Sequence, residues 1–271
     1  MNKQRLSITL SQSTLSQIDQ LIDKKKVRSR SHAIETILQK QLKPAVSTAV
    51  ILAGGSNKKS NLIKPLIKHQ NRPLIFHIID HLLRFDVTKI IILTHSKGQT
   101  IKKSISKKYP KLDVRYIFEK QRLGTGGALK NAQKILQENF YCFHGDVFTD
   151  INLQQFASFH QHNQGIATIA VKPRMAHQSF DNISVQGNQI TAFQPKNKVQ
   201  NPSLVNSGIY LFEPEIMDFI PDKKPTMLEK DVFPQLTKAG KLYAFAFEGI
   251  WFDITTEKQY QQDFQKINRL S

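Results

Sequence analysis

"AVILAGGSNKKSNLIKPL", residues 49–66, runs from an apolar stretch into a glycine pair and then gathers lysines before a proline. The apolar residues read as a buried strand, and Gly54 and Gly55 end it in a turn. Two glycines let backbone N–H groups come close to an anion, while Lys58, Lys59 and Lys64 supply neutralising charge. A phosphate-rich ligand is the natural occupant. The loop is neither the G-x-G-x-x-G of dinucleotide folds nor a P-loop, because no G-K-[S/T] follows the glycines.

Outward from this loop the chain alternates. AVILAG (49–54), KIIILTH (89–95), DVRYIF (113–118) and FYCFHG (140–145) read as strands, separated by helical stretches such as PLIFHIIDHLLRF and GGALKNAQKILQ. Such alternation predicts an α/β fold, a Rossmann-like doubly wound sheet with ligands at the C-terminal strand ends. Beyond residue 165 the strands IATIAVK, NISV, ITAFQ, SGIYLF and LYAFAFE crowd together with fewer helices, so the sheet is expected to be mixed.

Composition bounds the function. A chain of 271 residues with 39% apolar content can bury one sizeable core plus a smaller unit. A single cysteine, Cys142, excludes an internal disulfide, and MNKQRLSITL lacks the apolar run of a signal peptide, so a cytoplasmic setting is expected. No stretch reaches the length of a membrane span. With 39 Lys+Arg against 21 Asp+Glu the formal net charge is +18, which favours nucleotides, sugar phosphates or DNA as partners.

Residues 1–42 follow a different pattern. Leu6, Ile8 and Leu10 alternate with Arg5, Ser7 and Thr9, as in a half-buried strand. Ser11 is placed to cap a helix carrying Leu15, Ile18, Leu21 and Ile22, and Ser29 or Ser31 a second carrying Ala33, Ile34, Ile37 and Leu38. The segment holds 8 Lys+Arg and 3 acids, a net of +5. One strand and two helices cannot close a core alone, which predicts a homodimer. The string "KQRLSITLSQSTLSQIDQLI…RSRSHAIETILQKQL" resembles ribbon-helix-helix proteins over its whole length. That resemblance implies DNA contact through Arg5, Ser7 and Thr9 on a two-chain ribbon, with the second helix's N-terminus on a backbone phosphate. A module that only dimerises is the alternative. The expected organisation is a ribbon-helix-helix domain over 1–43, a linker over 44–48 and an α/β domain over 49–271.

Five stretches join the opening loop. "FEKQRLGTGGALKNA" (118–132) sets a glycine-rich turn at a helix start, a seat for a base and ribose. "FHGDVFTD" (143–150) and "EGIWFDITT" (248–256) end apolar runs in Asp146 and Asp253, two carboxylates suited to a Mg²⁺ that shares phosphate oxygens with a substrate. "VNSGIYLFEP" and "TMLEKDVFPQL" lie between them. In this order, over roughly residues 48–262, the motifs resemble the sugar-1-phosphate nucleotidyltransferases, the pyrophosphorylases that make nucleotide sugars.

The resemblance implies attack by a sugar-1-phosphate oxygen on the α-phosphorus of an NTP, with Mg²⁺ as cofactor. It assigns Gly54 and Gly55 to the triphosphate, Lys59 and Lys64 to catalysis, and Gly124, Thr125 and Gly126 to the nucleoside. Asp146 and Asp253 match metal ligands, Asn206 and Glu229 sugar-contacting positions, and Lys196 the receiver of the sugar phosphate. Glu119 matches the reader of the base edge. Its carboxylate can accept from guanine N1–H and the exocyclic amine together, whereas a uracil edge suits an amide better, so GTP is the preferred nucleotide. "LGTGGALKNA", and the lack of a repeat domain within the 271 residues, look most like short guanylyltransferases acting on mannose- or heptose-1-phosphate; uridylyltransferases share much of the string.

The loop departs from the family's G-G-x-G-T-R. Asn57 replaces a glycine, and Lys59 stands at the arginine position, keeping charge but losing the bidentate fork. His144 stands where asparagine is frequent, Thr255 where glycine is, and Gln194-Pro195 where glutamate precedes lysine. A second reading therefore stays open, a ribbon-helix-helix regulator whose transferase-like domain binds a nucleotide or nucleotide sugar as effector. His77, His81, His95 and His160 lack metal-ligand spacing, and Trp251 reads as core. Sedimentation of the full chain should give a dimer mass; a monomer at micromolar concentration contradicts the ribbon-helix-helix reading.

Overall fold

The structure is a computed structural model that describes residues 7–23, 27–41, 46–54, 63–95, 97–174, 182–194 and 203–253. The chain divides into two compact units, Met1–Pro44 and Ala45–Ser271.

The first unit contains helices α1 (Gln12–Gln20) and α2 (Arg30–Gln41). Ser11 caps α1, its hydroxyl accepting from the Thr14 N–H, and the Ser29 hydroxyl accepts from the His32 N–H at the start of α2. Arg30 donates two hydrogen bonds to Asp19, and that contact holds the Asp19 carboxyl below its usual range. Apolar burial is slight. Ile18 and Ala33 are buried, while Ile8, Leu21, Ile37 and Leu38 are between 38% and 53% exposed. The strand expected over residues 5–10 is absent from its described part, since residues 7–10 join no ladder. A ribbon strand finds its partner on a second chain, and a single chain leaves it without one.

In the second unit the strands run β1 (Thr48–Leu52), β2 (Lys68–His69), β3 (Arg72–Pro73), β4 (Lys89–Thr94), β5 (Val114–Phe118), β6 (Phe140–His144) and β7 (Val147–Thr149). They continue as β8 (Ala167–Arg174), β9 (Asn182–Gln186), β10 (Gln189–Gln194), β11 (Ser203–Phe212), β12 (Leu242–Ala246) and β13 (Trp251–Asp253). The helices are α3 (Leu74–Arg84), α4 (Gly98–Lys108), α5 (Gly124–Lys130), α6 (Leu153–Asn163) and α7 (Phe233–Lys238).

Among the described residues nine strands form one mixed sheet in the order β5-β4-β1-β6-β11-β8-β12-β10-β9. β5, β4, β1 and β6 are parallel, and β11 enters antiparallel to both β6 and β8. Alternating residues bury opposite faces. Ala49 and Ile51, Ile90 and Ile92, and Tyr141 and Phe143 pack with α3, α4 and α6. Val50, Ile91, Leu93, Phe140 and Cys142 pack with α5 and α7. Burial on both faces explains why these strands are continuous apolar runs. The helix expected across 126–137 ends at Lys130, and Gln133–Ile135 follows as a 3-10 turn.

Apart from the main sheet, β2 and β3 form a hairpin that buries His69 between His77 and Phe148, with ring centroids 5.2 and 4.6 Å away. Burial, with the neighbouring His77, lowers the His69 pKa to about 4. A neutral buried imidazole stabilises the fold above its unfolded pKa, and that stability is lost as pH falls from about 6.5 towards 4. Acid unfolding of His69→Phe, followed by circular dichroism, should show a flatter loss of stability across this window than the parent, by up to roughly 3 kcal/mol.

Candidate active site

The site forms where β1, β4, β5 and β6 end. The Ala53 N–H donates to Leu93 O at 2.7 Å, and the Gly145 N–H to Leu52 O at 3.0 Å, so three strand ends lie against one another. A Cβ on Gly145 would stand 3.0 Å from Pro65 Cγ and 3.1 Å from Leu52 O. That close approach seats the 3-10 turn Lys64–Leu66 over the end of β6. The Lys64 ammonium then donates to Asp146 Oδ2 at 2.6 Å.

Asp253 arrives from the other end of the chain. β13 pairs antiparallel with β7, placing Asp253 opposite Val147, the residue after Asp146. Four hydrogen bonds anchor this short strand and the residues leading into it. The Ile250 N–H donates to Asp150 Oδ1 at 2.7 Å, the Trp251 indole N–H to Ser207 O at 2.8 Å, and Lys172 to the Phe247 and Gly249 carbonyls at 2.9 Å each. Burial disfavours the Lys64 ammonium, yet the charge and hydrogen bond of Asp146 and the charge of Asp253 outweigh it, so the Lys64 pKa is raised. Both carboxylates therefore act on one cation. Two hard oxygen donors presented to a positive charge suit a Mg²⁺ that completes its shell with phosphate and water. Among the described residues no group of three or more His, Cys, Asp and Glu side chains could hold a metal ion.

Beside this charged centre lies a pocket of about 370 Å³, with Gly54, Glu119, Gly124, Thr125, His144 and Asp146 on its polar side. Leu52, Leu93, Ala128 and Met227 make its apolar wall. Glu119 follows β5, held by its N–H on Thr94 O at 2.8 Å. Its Oε2 would stand 3.4 Å from a Cβ on Gly54, and its buried Oε1 has no hydrogen-bond partner. Burial raises the Glu119 pKa against the lowering effect of the Leu123 backbone hydrogen bond. Glu119 thus lines the pocket with its carboxylate partly withdrawn from water.

The glycine turn divides in two. Gly124 has φ +75°, and a Cβ there would stand 2.5 Å from Thr226 O. Gly126 and Gly127 donate their N–H groups to the same carbonyl at 2.9 and 3.2 Å. Gly126, expected at the nucleoside, docks α5 on the Thr226 segment, and its neighbours Gly124 and Thr125 line the pocket.

Asn206 and Glu229 meet through a residue the sequence reading passed over. The Tyr210 hydroxyl donates to Glu229 Oε1 at 3.2 Å and accepts from Asn206 Nδ2 at 3.1 Å. Thr125 donates to Glu229 Oε2 at 3.2 Å, and His144 Nε2 lies 3.5 Å from Glu229 Oε1. Tyr210 is fully buried, and the burial, with the Glu229 charge, drives its pKa far up. Spacing gave no signal here, because the ladder of β11 is irregular between Asn206 and Tyr210, where Gly208 takes φ +72°. Gly55, Lys59, Lys196 and Arg5 lie outside the described residues. Ser7 and Thr9 are exposed in the first unit. The histidines are structural where partners are defined: His81 bonds Ile151 O, and His160 bonds Thr168 and Glu213.

A mixed sheet whose parallel strands end at a charged centre and a pocket defines an α/β protein of the kind that binds ligands at its strand ends. The nucleotidyl transferase family model matches residues 48–269, and the chain belongs to that family. Among curated relatives, mannose-1-phosphate guanyltransferase beta-A of Xenopus laevis is 30% identical over 224 residues, covering 78% of this chain and 62% of the relative. Mannose-1-phosphate guanyltransferase of Saccharomyces cerevisiae is 31% identical over 226 residues, with the same coverage, 78% and 62%. The chain thus spans about 62% of the length of these relatives. HddC from Yersinia pseudotuberculosis, also solved complexed with GMP-PN, superposes with a TM-score of 0.71 at 25% identity, covering 82% of this chain and 100% of HddC. A putative glucose-1-phosphate thymidylyltransferase from Bacillus anthracis shares the fold, with a TM-score of 0.70 at 21% identity over 79% of this chain and 93% of that one.

Tyr210→Phe removes one hydroxyl and leaves Glu229 and Asn206 each short of a buried partner. Urea unfolding should show a loss of about 1–3 kcal/mol, whereas a neutral result would mean that the hydroxyl is not what joins these side chains.

Proposed function

We propose that the chain is a Mg²⁺-dependent sugar-1-phosphate guanylyltransferase, joining GTP to a hexose- or heptose-1-phosphate and releasing pyrophosphate. The observation that carries this reading is Glu119, a carboxylate with a buried oxygen lacking a hydrogen-bond partner, set in a nucleoside-sized pocket beside Lys64 and Asp146. Guanine presents N1–H and its exocyclic amine side by side, and a carboxylate accepts from both. The guanyltransferase relatives and the GMP-PN complex of HddC support the choice of base.

In the reaction a phosphate oxygen of the sugar phosphate forms the bond to the α-phosphorus as the bond to the bridging oxygen breaks, and pyrophosphate carries off the electron pair. Both reactants are anions, so alignment and charge neutralisation dominate the barrier. Gly54 and Gly55 cradle the triphosphate, Lys64 meets the α-phosphate and Lys59 the departing pyrophosphate. Gly124 and Thr125 hold the nucleoside, Asn206 and Glu229 the sugar, and Lys196 its phosphate. Asp146 and Asp253 would hold Mg²⁺, which neutralises phosphate charge when bound.

For residues 1–43 the exposed Ile8, Leu21, Ile37 and Leu38 favour pairing with a second copy as a ribbon-helix-helix dimer. On such a dimer Arg5, Ser7 and Thr9 would face DNA. A ligand-responsive regulator is the second reading of the whole chain.

Pyrophosphate release with Mg²⁺, measured across four NTPs and a panel of mannose-, glucose- and heptose-1-phosphate, should select GTP with one sugar phosphate. Asp146→Asn should lower kcat by about two orders of magnitude, and Glu119→Gln should erode the preference for GTP by about tenfold or more. Salt-sensitive DNA binding that responds to nucleotide, without turnover, would favour the regulator.

A further inference from the structure

Two buried polar atoms stand without a hydrogen-bond partner at adjacent strand ends, Nδ1 of His95 and Oε1 of Glu119. The registers that pair Leu52 with Leu93 and Thr94 with Phe118 run on past the strands. The Ala53 N–H donates to Leu93 O at 2.7 Å, and the Glu119 N–H to Thr94 O at 2.8 Å. Gly54, His95 and Glu119 thereby form one cross-strand row with His95 in the middle. The row keeps to one side of the sheet, since a Cβ on Gly54 would stand 3.9 Å from the Cβ of His95 and 3.4 Å from Glu119 Oε2. That is the side of Leu52 and Leu93, two residues earlier, which wall the pocket that Gly54 and Glu119 also line. We propose that His95 is a second reader of the nucleotide's base, donating from Nδ1–H to O6 of guanine while Glu119 accepts from the neighbouring N–H groups. The inference rests on the reading of the ligand as GTP and of Glu119 as the group that holds its base.

The order of donors and acceptors is what matches. Guanine's edge presents one acceptor, O6, and then two donors, N1–H and the exocyclic amine. An imidazole N–H beside a carboxylate offers the opposite series, one donor and then two acceptors. Neighbouring strands lie roughly 4.8 Å apart, so a planar base laid across the ends of β4 and β5 spans both side chains. Neither free atom takes the other as its partner, although donor and acceptor come from adjacent positions of the row. Glu119 takes a backbone hydrogen bond from Leu123, which fixes its carboxyl and leaves Oε1 for a ligand. Buried polar atoms without partners are costly in the free protein, and a base that supplies both partners at once removes that cost on binding. Adenine carries an amine where guanine has O6, and an acceptor at N1. It would set donor against donor at His95 and lone pair against carboxylate at Glu119. A neutral imidazole with its proton on Nδ1 is enough for this role.

The test reads binding rather than turnover, by isothermal titration of the full chain with Mg²⁺ and no sugar phosphate. GTP is compared with its thio analogue, which carries sulfur, a poor acceptor, in place of O6, and with inosine triphosphate, which lacks the exocyclic amine. The parent should bind GTP about tenfold more tightly than the thio analogue. His95→Leu should bring that ratio close to one while keeping the preference for GTP over inosine triphosphate. Glu119→Gln should do the reverse. His95→Asn, whose amide N–H stands near the place of Nδ1–H, should hold the thio ratio near the parent's, which a purely structural histidine would not require. Thermal melting establishes that each variant is folded, and His95→Phe serves should the leucine variant not be. A parent that binds GTP and the thio analogue equally, or a His95→Leu variant with the parent's ratio, would overturn the proposal. If Glu119→Gln removes the preference over inosine triphosphate while His95→Leu changes neither ratio, the guanine reading stands and the role given to His95 falls. If the parent prefers GTP to neither inosine triphosphate nor ATP, the guanine reading itself fails.

Discussion

The contact between the Lys64 ammonium and the Asp146 carboxylate, 2.6 Å long, joins residues 82 apart in sequence and requires three elements to meet. The turn carrying Lys64 must lie on Gly145, β6 must end beside β1, and β13 must return against β7 to add Asp253. A larger residue at 145 would lift the turn. Loss of the Lys172 and Asp150 contacts would loosen the strand bearing Asp253. The charged centre thus depends on tight backbone approach at one place and on a short strand held from outside at another.

The chemistry follows from that arrangement. The parallel strands converge at their C-terminal ends, so residues just past them share one space. A net charge of +18 draws anionic reactants in general, while specificity falls to few groups. Glu119 is the unusual one, a carboxylate kept inside the pocket with one buried oxygen that has no hydrogen-bond partner. Its desolvation is tolerable where a ligand supplies paired N–H donors. Behind the pocket, Tyr210 binds Asn206 and Glu229 into one polar unit within an otherwise apolar stretch of β11.

Strands buried on both faces were the most legible part of the chain. KIIILTH and FYCFHG are apolar without interruption because helices cover each side, and Asp146 stands out as the acid that follows such a run. The acids and the glycine turn were readable as types at strand and helix ends. Their partners were not. Nothing local indicates that the Thr226 carbonyl takes the N–H groups of Gly126 and Gly127, or that Asp146 meets Lys64, because tertiary packing decides those contacts. Tyr210 hid inside SGIYLF, where an aromatic residue reads as core and its hydroxyl leaves no periodic trace. Residues 7–10 alternate like a strand, but alternation reports a face to be covered and not the chain that covers it.

The most direct measurement is a crystal structure of the full chain with a non-hydrolysable GTP analogue and Mn²⁺. The account predicts an anomalous peak between Asp146 and Asp253, Lys64 on phosphate, and the guanine edge on Glu119. A metal remote from both aspartates, or a base bound away from Glu119, would contradict it.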